Sequence, residues 1–265
     1  MSVIYARRII EGRGITDPKE IDLESIANSL EVTIEEADLD GCDGILQMIP
    51  DPKCGIITVK KSIKEPGQKR FVIAHELGHY ETPNQPSQDY HCSTADMSPK
   101  GHRFKPEERE ANEFAAELLM PEKLFKPRMK NKRPSMDLIK SLAGDFQTTL
   151  TATLRRFVKL TDYRCAMISS VDGKVEYFVP SGDFHHSISN GTPLHPNSYA
   201  IDFFKSGRIE NKMHSVFANT WITSDRISRN ACIYEHSIAQ PSYKSVLTLL
   251  WISQDIDGLH FPVKN

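Results

Sequence analysis

The sequence lacks any apolar run approaching the roughly 20 residues that a membrane-spanning helix needs, which excludes such a helix. Met1 to Gly14 lacks the apolar core of a secretory signal, so a cytoplasmic location is expected. Cysteine is scarce. Cys42, Cys54, Cys92, Cys165 and Cys232 are odd in number, far apart and never in a C-x-x-C pair. That pattern excludes a disulfide framework and a thiolate zinc site, and predicts reduced thiols. Neither sign of charge dominates: 33 Lys and Arg stand against 35 Asp and Glu, for a formal net charge of -2. No global basic excess therefore points to nucleic acid, and no acidic tail is visible. G-x-G-x-x-G and P-loop sequences are missing, so no nucleotide fingerprint is present. Internal repeats and low-complexity tracts are missing too.

What is there suits a folded protein of one or two domains: 265 residues, 39% hydrophobic and 26% charged. Ile21 to Ser29 predicts a short helix, with Asp22 at a cap position and Leu23, Ile26, Ala27 and Leu30 on one face. Gly44 to Ile49 and Gly55 to Lys60 are β-rich, and Pro50-Asp51-Pro52-Lys53 between them predicts a hairpin. Gln68 to Glu81 has helical pattern and stops before Pro83. Thr82 to Lys105 reads as a long polar loop, a class of segment that is often functional. Pro106 opens a further helix, with Glu107 and Glu108 at its positive end, running to about Met120. Ser135 to Leu160 predicts two or three short helices. Cys165 to Ser170 and Val175 to Val179 predict a hairpin turning at Asp172-Gly173, and Val246 to Ser253 a further strand.

The chemistry concentrates in His75-Glu76-Leu77-Gly78-His79. Residues four apart share a helix face, so His75 and His79 offer two imidazoles to one cation. Zinc accepts neutral imidazole, and three protein ligands leaving one position for water define its catalytic sites. Glu76 is placed to serve as general base towards that water, whose pKa zinc lowers towards ~7. Val72, Ile73 and Ala74 predict a buried helix, and small Gly78 admits a neighbouring backbone. A third histidine at metzincin spacing is missing. The acidic helix supplies the alternative: Glu108 as third ligand, with Asn112 one turn on to accept a ligand histidine's N–H. The pair resembles the E-x-x-x-D helix of thermolysin-like gluzincins, with Asn in place of Asp. Glu110 is the rival ligand, and Glu107, Glu110, Glu113 and Glu117 otherwise read as a solvated face.

The stretches Arg70 to His79 and Glu108 to Pro121 together resemble the ImmA/IrrE metallopeptidases. The block E-x-x-A-N-x-F-A-A-x-L-L-M-P is more specific than H-E-x-x-H alone, and the likeness runs from about residue 15 to 160. The resemblance implies a mainly helical zincin-like metallopeptidase domain with a small β-sheet, and the change of character near residue 160 adds a smaller α+β C-terminal domain, for an α+β protein. The expected division is 1–130 for the peptidase, 131–160 for a helix-turn-helix-like segment and 161–265 for a sensory or regulatory part. It implies His75, His79 and Glu108 as ligands of Zn2+, with Mn2+ as the other candidate, and Glu76 as base. An edge strand at Gly55 to Lys60 would align an extended peptide. The implied activity is site-specific endoproteolysis of a partner protein, a helix-turn-helix repressor or antitoxin-like protein, in a stress or mobile-element response.

Other features carry competing readings. Leu138 to Val158 has helix-turn-helix rhythm, with Lys140, Arg155, Arg156 and Lys159 as phosphate contacts. The alternative function is therefore a non-enzymatic DNA-binding or sensor regulator stabilised by its metal, although direct DNA binding is disfavoured against a plain helical subdomain. His91 and His102 in the long loop are candidates to face substrate or the oxyanion, with Tyr80 and Tyr90 as weaker ones. His185-His186 lacks an acid or cysteine cluster to complete a second metal site.

Overall fold

The computed structural model describes residues 2–82, 89–92, 105–224 and 227–253. Among these the chain is α+β, with two separate sheets. Backbone contacts divide it into two units, Met1–Arg128 with Ser141–Thr153, and Met129–Lys140 with Leu154–Asn265.

The first unit is built on a sheet in the order β1–β3–β2–β4: β1 Val32–Ala37, β2 Gly44–Pro50, β3 Lys53–Lys60 and β4 Asp89–Cys92. β2 and β3 form the foreseen hairpin, β1 runs parallel to β3, and β4 runs antiparallel to β2. Alternation along the strands buries Leu46, Ile57 and Val59 on one face, while Gln47, Ile49 and Ile56 are exposed on the other. Two expectations are corrected here. β3 is flanked on both sides, so among the described residues the sheet's edges are β1 and β4. The segment 82–105 is not all loop, because four of its residues pair with β2 as β4. A strand that short shows too little alternation to be read from sequence.

The buried sheet face lies on α3 (Pro66–Glu81), which touches β2, β3 and β4. Proline at its first turn gives up a hydrogen bond that no helix start would make. α3 in turn packs on α4 (Pro106–Leu119) through fully buried Ala111, Phe114, Ala115 and Leu118. α2 (Leu23–Ser29) is capped by Asp22, which accepts from the Ser25 N–H at 3.2 Å. α1 (Ser2–Gly12), unforeseen in sequence, buries Ser2, Ala6 and Ile10 at four-residue spacing. Two of those three are small, which is why the apolar signal is faint. Arg7 of α1 donates to Glu117 of α4 at 2.9 Å and to Glu122 at 2.8 Å. Glu117, expected on a solvated face, is thus buried, and it anchors α1.

α5 (Glu122–Met129), α6 (Met136–Phe146) and α7 (Leu150–Leu160) follow. α6 and α7 are joined by Gln147, Thr148 and Thr149. A recognition helix must offer its first side chains to a major groove. α7 instead buries Thr153, Leu154, Arg156, Phe157 and Val158 and leaves only Lys159 exposed. Arg156 is therefore packed into protein rather than presented to phosphate.

The second unit carries an antiparallel sheet in the order β6–β5–β9–β8–β7: β5 Arg164–Val171, β6 Lys174–Pro180, β7 Met213–Phe217, β8 Cys232–Gln240 and β9 Ser245–Ile252. The predicted β5–β6 turn has φ of 50° at Asp172 and 70° at Gly173, the left-handed pair a tight hairpin requires. One sheet face buries Ile168, Ile233 and Leu250 with Phe184, Trp221 and Ala200 of α8 (Ala200–Ser206). In that core Glu235 accepts from the Ala200 N–H (2.8 Å), Trp221 Nε1 (2.8 Å) and Ser237 Oγ (2.9 Å). Burial pushes its carboxyl up, against these donors. Among the described residues no helix is long and apolar enough to cross a membrane. Cys42, Cys54, Cys165 and Cys232 are free thiols.

Candidate metal centre

α3 sets His75 and His79 one turn apart, both fully buried, with Nε2 atoms 3.1 Å from each other. α4 brings Glu108 across to them: its Oε2 lies 3.1 Å from His75 Nε2 and 3.5 Å from His79 Nε2. One turn further along α4, Asn112 Oδ1 accepts from His75 Nδ1 at 3.2 Å. That bond holds the ring with Nε2 turned towards His79 and Glu108. Glu108 is in the cluster and Glu110 is not, and among the described residues this is the single group of three or more His, Cys, Asp or Glu arranged to hold a metal.

The donor set fits zinc. Donors about 2.0–2.1 Å from a tetrahedral ion lie about 3.3–3.4 Å from one another. The three edges of this triangle, 3.1, 3.1 and 3.5 Å, bracket that value. Two imidazoles with one carboxylate are also a donor set that zinc favours. Burial pushes the Glu108 carboxyl up, but hydrogen bonds and charge from His75 and His79 outweigh it and hold the pKa at about 2.

Two glycines allow this geometry. A Cβ on Gly78 would stand 2.9 Å from the Ala111 Cα and 3.0 Å from its carbonyl oxygen. Only glycine there lets α3 and α4 come close enough for one metal to bridge them. A Cβ on Gly44 would stand 2.6 Å from Glu76 Oε1, so the start of β2 rests against the carboxylate expected to act as base. Gly78 was legible as a small residue in the motif. Gly44 was not singled out, although an isolated glycine in a strand signals a close approach.

The remaining candidates separate. Tyr80 is buried and donates to the Leu30 carbonyl at 2.9 Å, an anchoring role rather than a substrate contact. His91 and Tyr90 fall in β4, opposite Ile45 and Leu46. His102 lies outside the described residues. His185 is exposed, and no second metal cluster forms around it among the described residues.

A buried His, His, Glu triangle spanning two packed helices beneath a small sheet makes this α+β domain a candidate metal-binding one. Residues 27–158 match the family model of the IrrE N-terminal-like domain, Peptidase_M78. Through this segment the chain belongs to the ImmA/IrrE family. No curated protein matches the sequence. Among solved structures, one described as "Mycobacterium tuberculosis transcriptional regulator" is similar with a TM-score of 0.56 at 15% identity, over 94% of this chain and 76% of that one. At that identity the likeness concerns the fold.

Proposed function

We propose that this chain is a zinc-dependent, zincin-like endopeptidase of gluzincin type that cuts a partner protein at a specific site. One observation carries the reading: the three-donor cluster has Glu76, a further buried carboxylate, beside its first ligand on the same helix. A purely structural zinc site needs no such neighbour and completes its shell with protein. A zinc ion held by His75, His79 and Glu108 supplies Lewis-acid chemistry, polarising a carbonyl oxygen and acidifying water. Manganese is the competing ion. Asn112 keeps His75 in the tautomer that ligation requires. Glu76 takes a proton from the attacking water and passes it to the leaving nitrogen. Among the described residues β4 is the edge strand next to Gly44, the residue against Glu76, and an extended peptide adding there gains main-chain pairing beside the base.

Family resemblance points to a repressor of helix-turn-helix type, or an antitoxin-like protein, as the partner that is cut in a stress or mobile-element response. Residues 131–160 serve as a helical segment and 161–265 as a sensory or regulatory part. The competing reading, a DNA-binding regulator stabilised by its metal, is weakened by the burial of α7. Co-expression with repressors encoded nearby tests the proposal. The wild type should yield fragments, Glu76→Gln should keep zinc and yield none, and His75→Ala should lose both. Unchanged cleavage by Glu76→Gln would remove this mechanism.

A further inference from the structure

Gly44 opens β2 and is paired on both sides, with Val59 of β3 and Cys92 of β4. Glycine in such a strand position gives up side-chain packing and costs about 0.5–1 kcal/mol relative to alanine. Its backbone does not demand it, because Gly44 is not among the residues with positive φ. Space does. An added Cβ would lie 2.6 Å from Glu76 Oε1, 3.3 Å from Glu76 Cδ and 2.7 Å from Val72 Cγ1. Val72 and Glu76 are one turn apart on α3, so both press the same patch of strand. None of these three nearest atoms belongs to His75, His79 or Glu108.

We propose that Gly44 is a positioning residue for Glu76: the bare backbone of β2 is the seat that sets where the carboxylate stands relative to the metal ligands. This rests on Glu76 being the base. Ordinary contact begins at 3.4 Å, so a methyl at position 44 displaces Oε1 by about 0.8 Å while leaving the ligand triangle alone. Misplacing a reacting group by about 1 Å can cost about a hundredfold in rate. The seat and β4, an edge strand among the described residues, meet at this one residue, so base and peptide would be aligned from the same strand.

The test is a set of variants in the full chain. Gly44→Ala should keep zinc affinity within about twofold, measured by competition with a chromogenic chelator, and slow cleavage of the co-expressed repressor by about 10–100-fold. Melting temperatures of the zinc-loaded proteins give a readout independent of cleavage. Gly44→Ala should melt several degrees lower, and adding Glu76→Asp, which shortens the carboxylate, should recover at least half of that loss. Adding Val72→Ala should recover little. Recovery by Val72→Ala alone, or wild-type cleavage by Gly44→Ala, would overturn the proposal and make Gly44 a packing glycine. Should the wild type cleave nothing, the peptidase reading fails, and the melting cycle still decides whether position 44 seats Glu76.

Discussion

Replacing Gly78 by alanine sets two helix effects against each other. Alanine in a helix interior gains about 0.8–1.0 kcal/mol over glycine. The new Cβ, however, would stand 2.9 Å from the Ala111 Cα, 3.0 Å from its oxygen and 3.2 Å from Phe114 Cβ. Two of these are backbone atoms that cannot rotate aside, so α3 and α4 must part by about 0.5 Å to reach ordinary contact at 3.4 Å. Overpacking of this kind costs about 1–3 kcal/mol, so the net result is a loss of up to about 2 kcal/mol. The same separation moves Glu108 away from His75 and His79, whereas metal–ligand lengths tolerate only about 0.2 Å. Zinc affinity should fall about 10–100-fold, as it does when the support of a ligand is disturbed. Gly144, inside α6 with nothing within 4 Å of its added Cβ, is the control. Gly144→Ala should be stabilised by about 0.5–1 kcal/mol and bind zinc normally. Urea unfolding of the metal-free proteins and chelator competition measure the two effects separately. If Gly78→Ala matched Gly144→Ala in both, the helix contact would not be what brings the ligands together.

The remaining expectations are briefer. Glu108→Gln should lose bound zinc on metal analysis while Glu110→Gln retains it, and the reverse result would exchange their roles. Asn112→Ala should weaken zinc about 10–100-fold without abolishing it, since His75 loses the acceptor at 3.2 Å but remains a donor. In the second unit, His236 accepts from the Met136 N–H at 3.1 Å, and its Nε2 lies 3.2 Å from Asn211 Oδ1, so the neutral ring fits both partners. Burial lowers its pKa below the ordinary 6.5, with Lys140 and His214 adding to the effect and Asp137 opposing it. The unfolded chain then binds the proton more readily, so this stability is complete above pH 6.5 and is lost as pH falls through the lowered value. Trp221 and Trp251, the only tryptophans, both lie in that unit, so their fluorescence should show a pH slope in urea unfolding that His236→Gln flattens.

The site was more legible than the sheet around it, for a physical reason. Metal ligation imposes residue types and a helical spacing: His75 with His79 and Glu108 with Asn112 each sit one turn apart, and both pairs meet in space. Sheet edges follow from pairings between distant segments, which leave little mark on local sequence. β1 hides behind Glu35 and Glu36, and β4 is four residues inside a polar stretch, so β3 looked like an edge. α1 escaped because small residues make its contact. Glu117 was misread because its partner Arg7 lies 110 residues away. In the second unit the β5–β6 turn was legible from Asp172-Gly173, while β7 and β8, with His214, Glu235 and His236 inside them, break the apolar alternation that marks a strand.

Charge explains why the cluster suits a cation. His75 and His79 hold the Glu108 pKa at about 2, so its carboxylate is ionised at neutral pH. Glu76, fully buried one residue from His75, is a second carboxylate beside the cluster. Two carboxylates in protein interior are costly unless something compensates them. A divalent cation at the triangle balances both, leaving no net charge among cation, Glu76 and Glu108. Binding free energy at such a site is also folding free energy of the first unit, so metal should raise that unit's stability as well as complete the cluster.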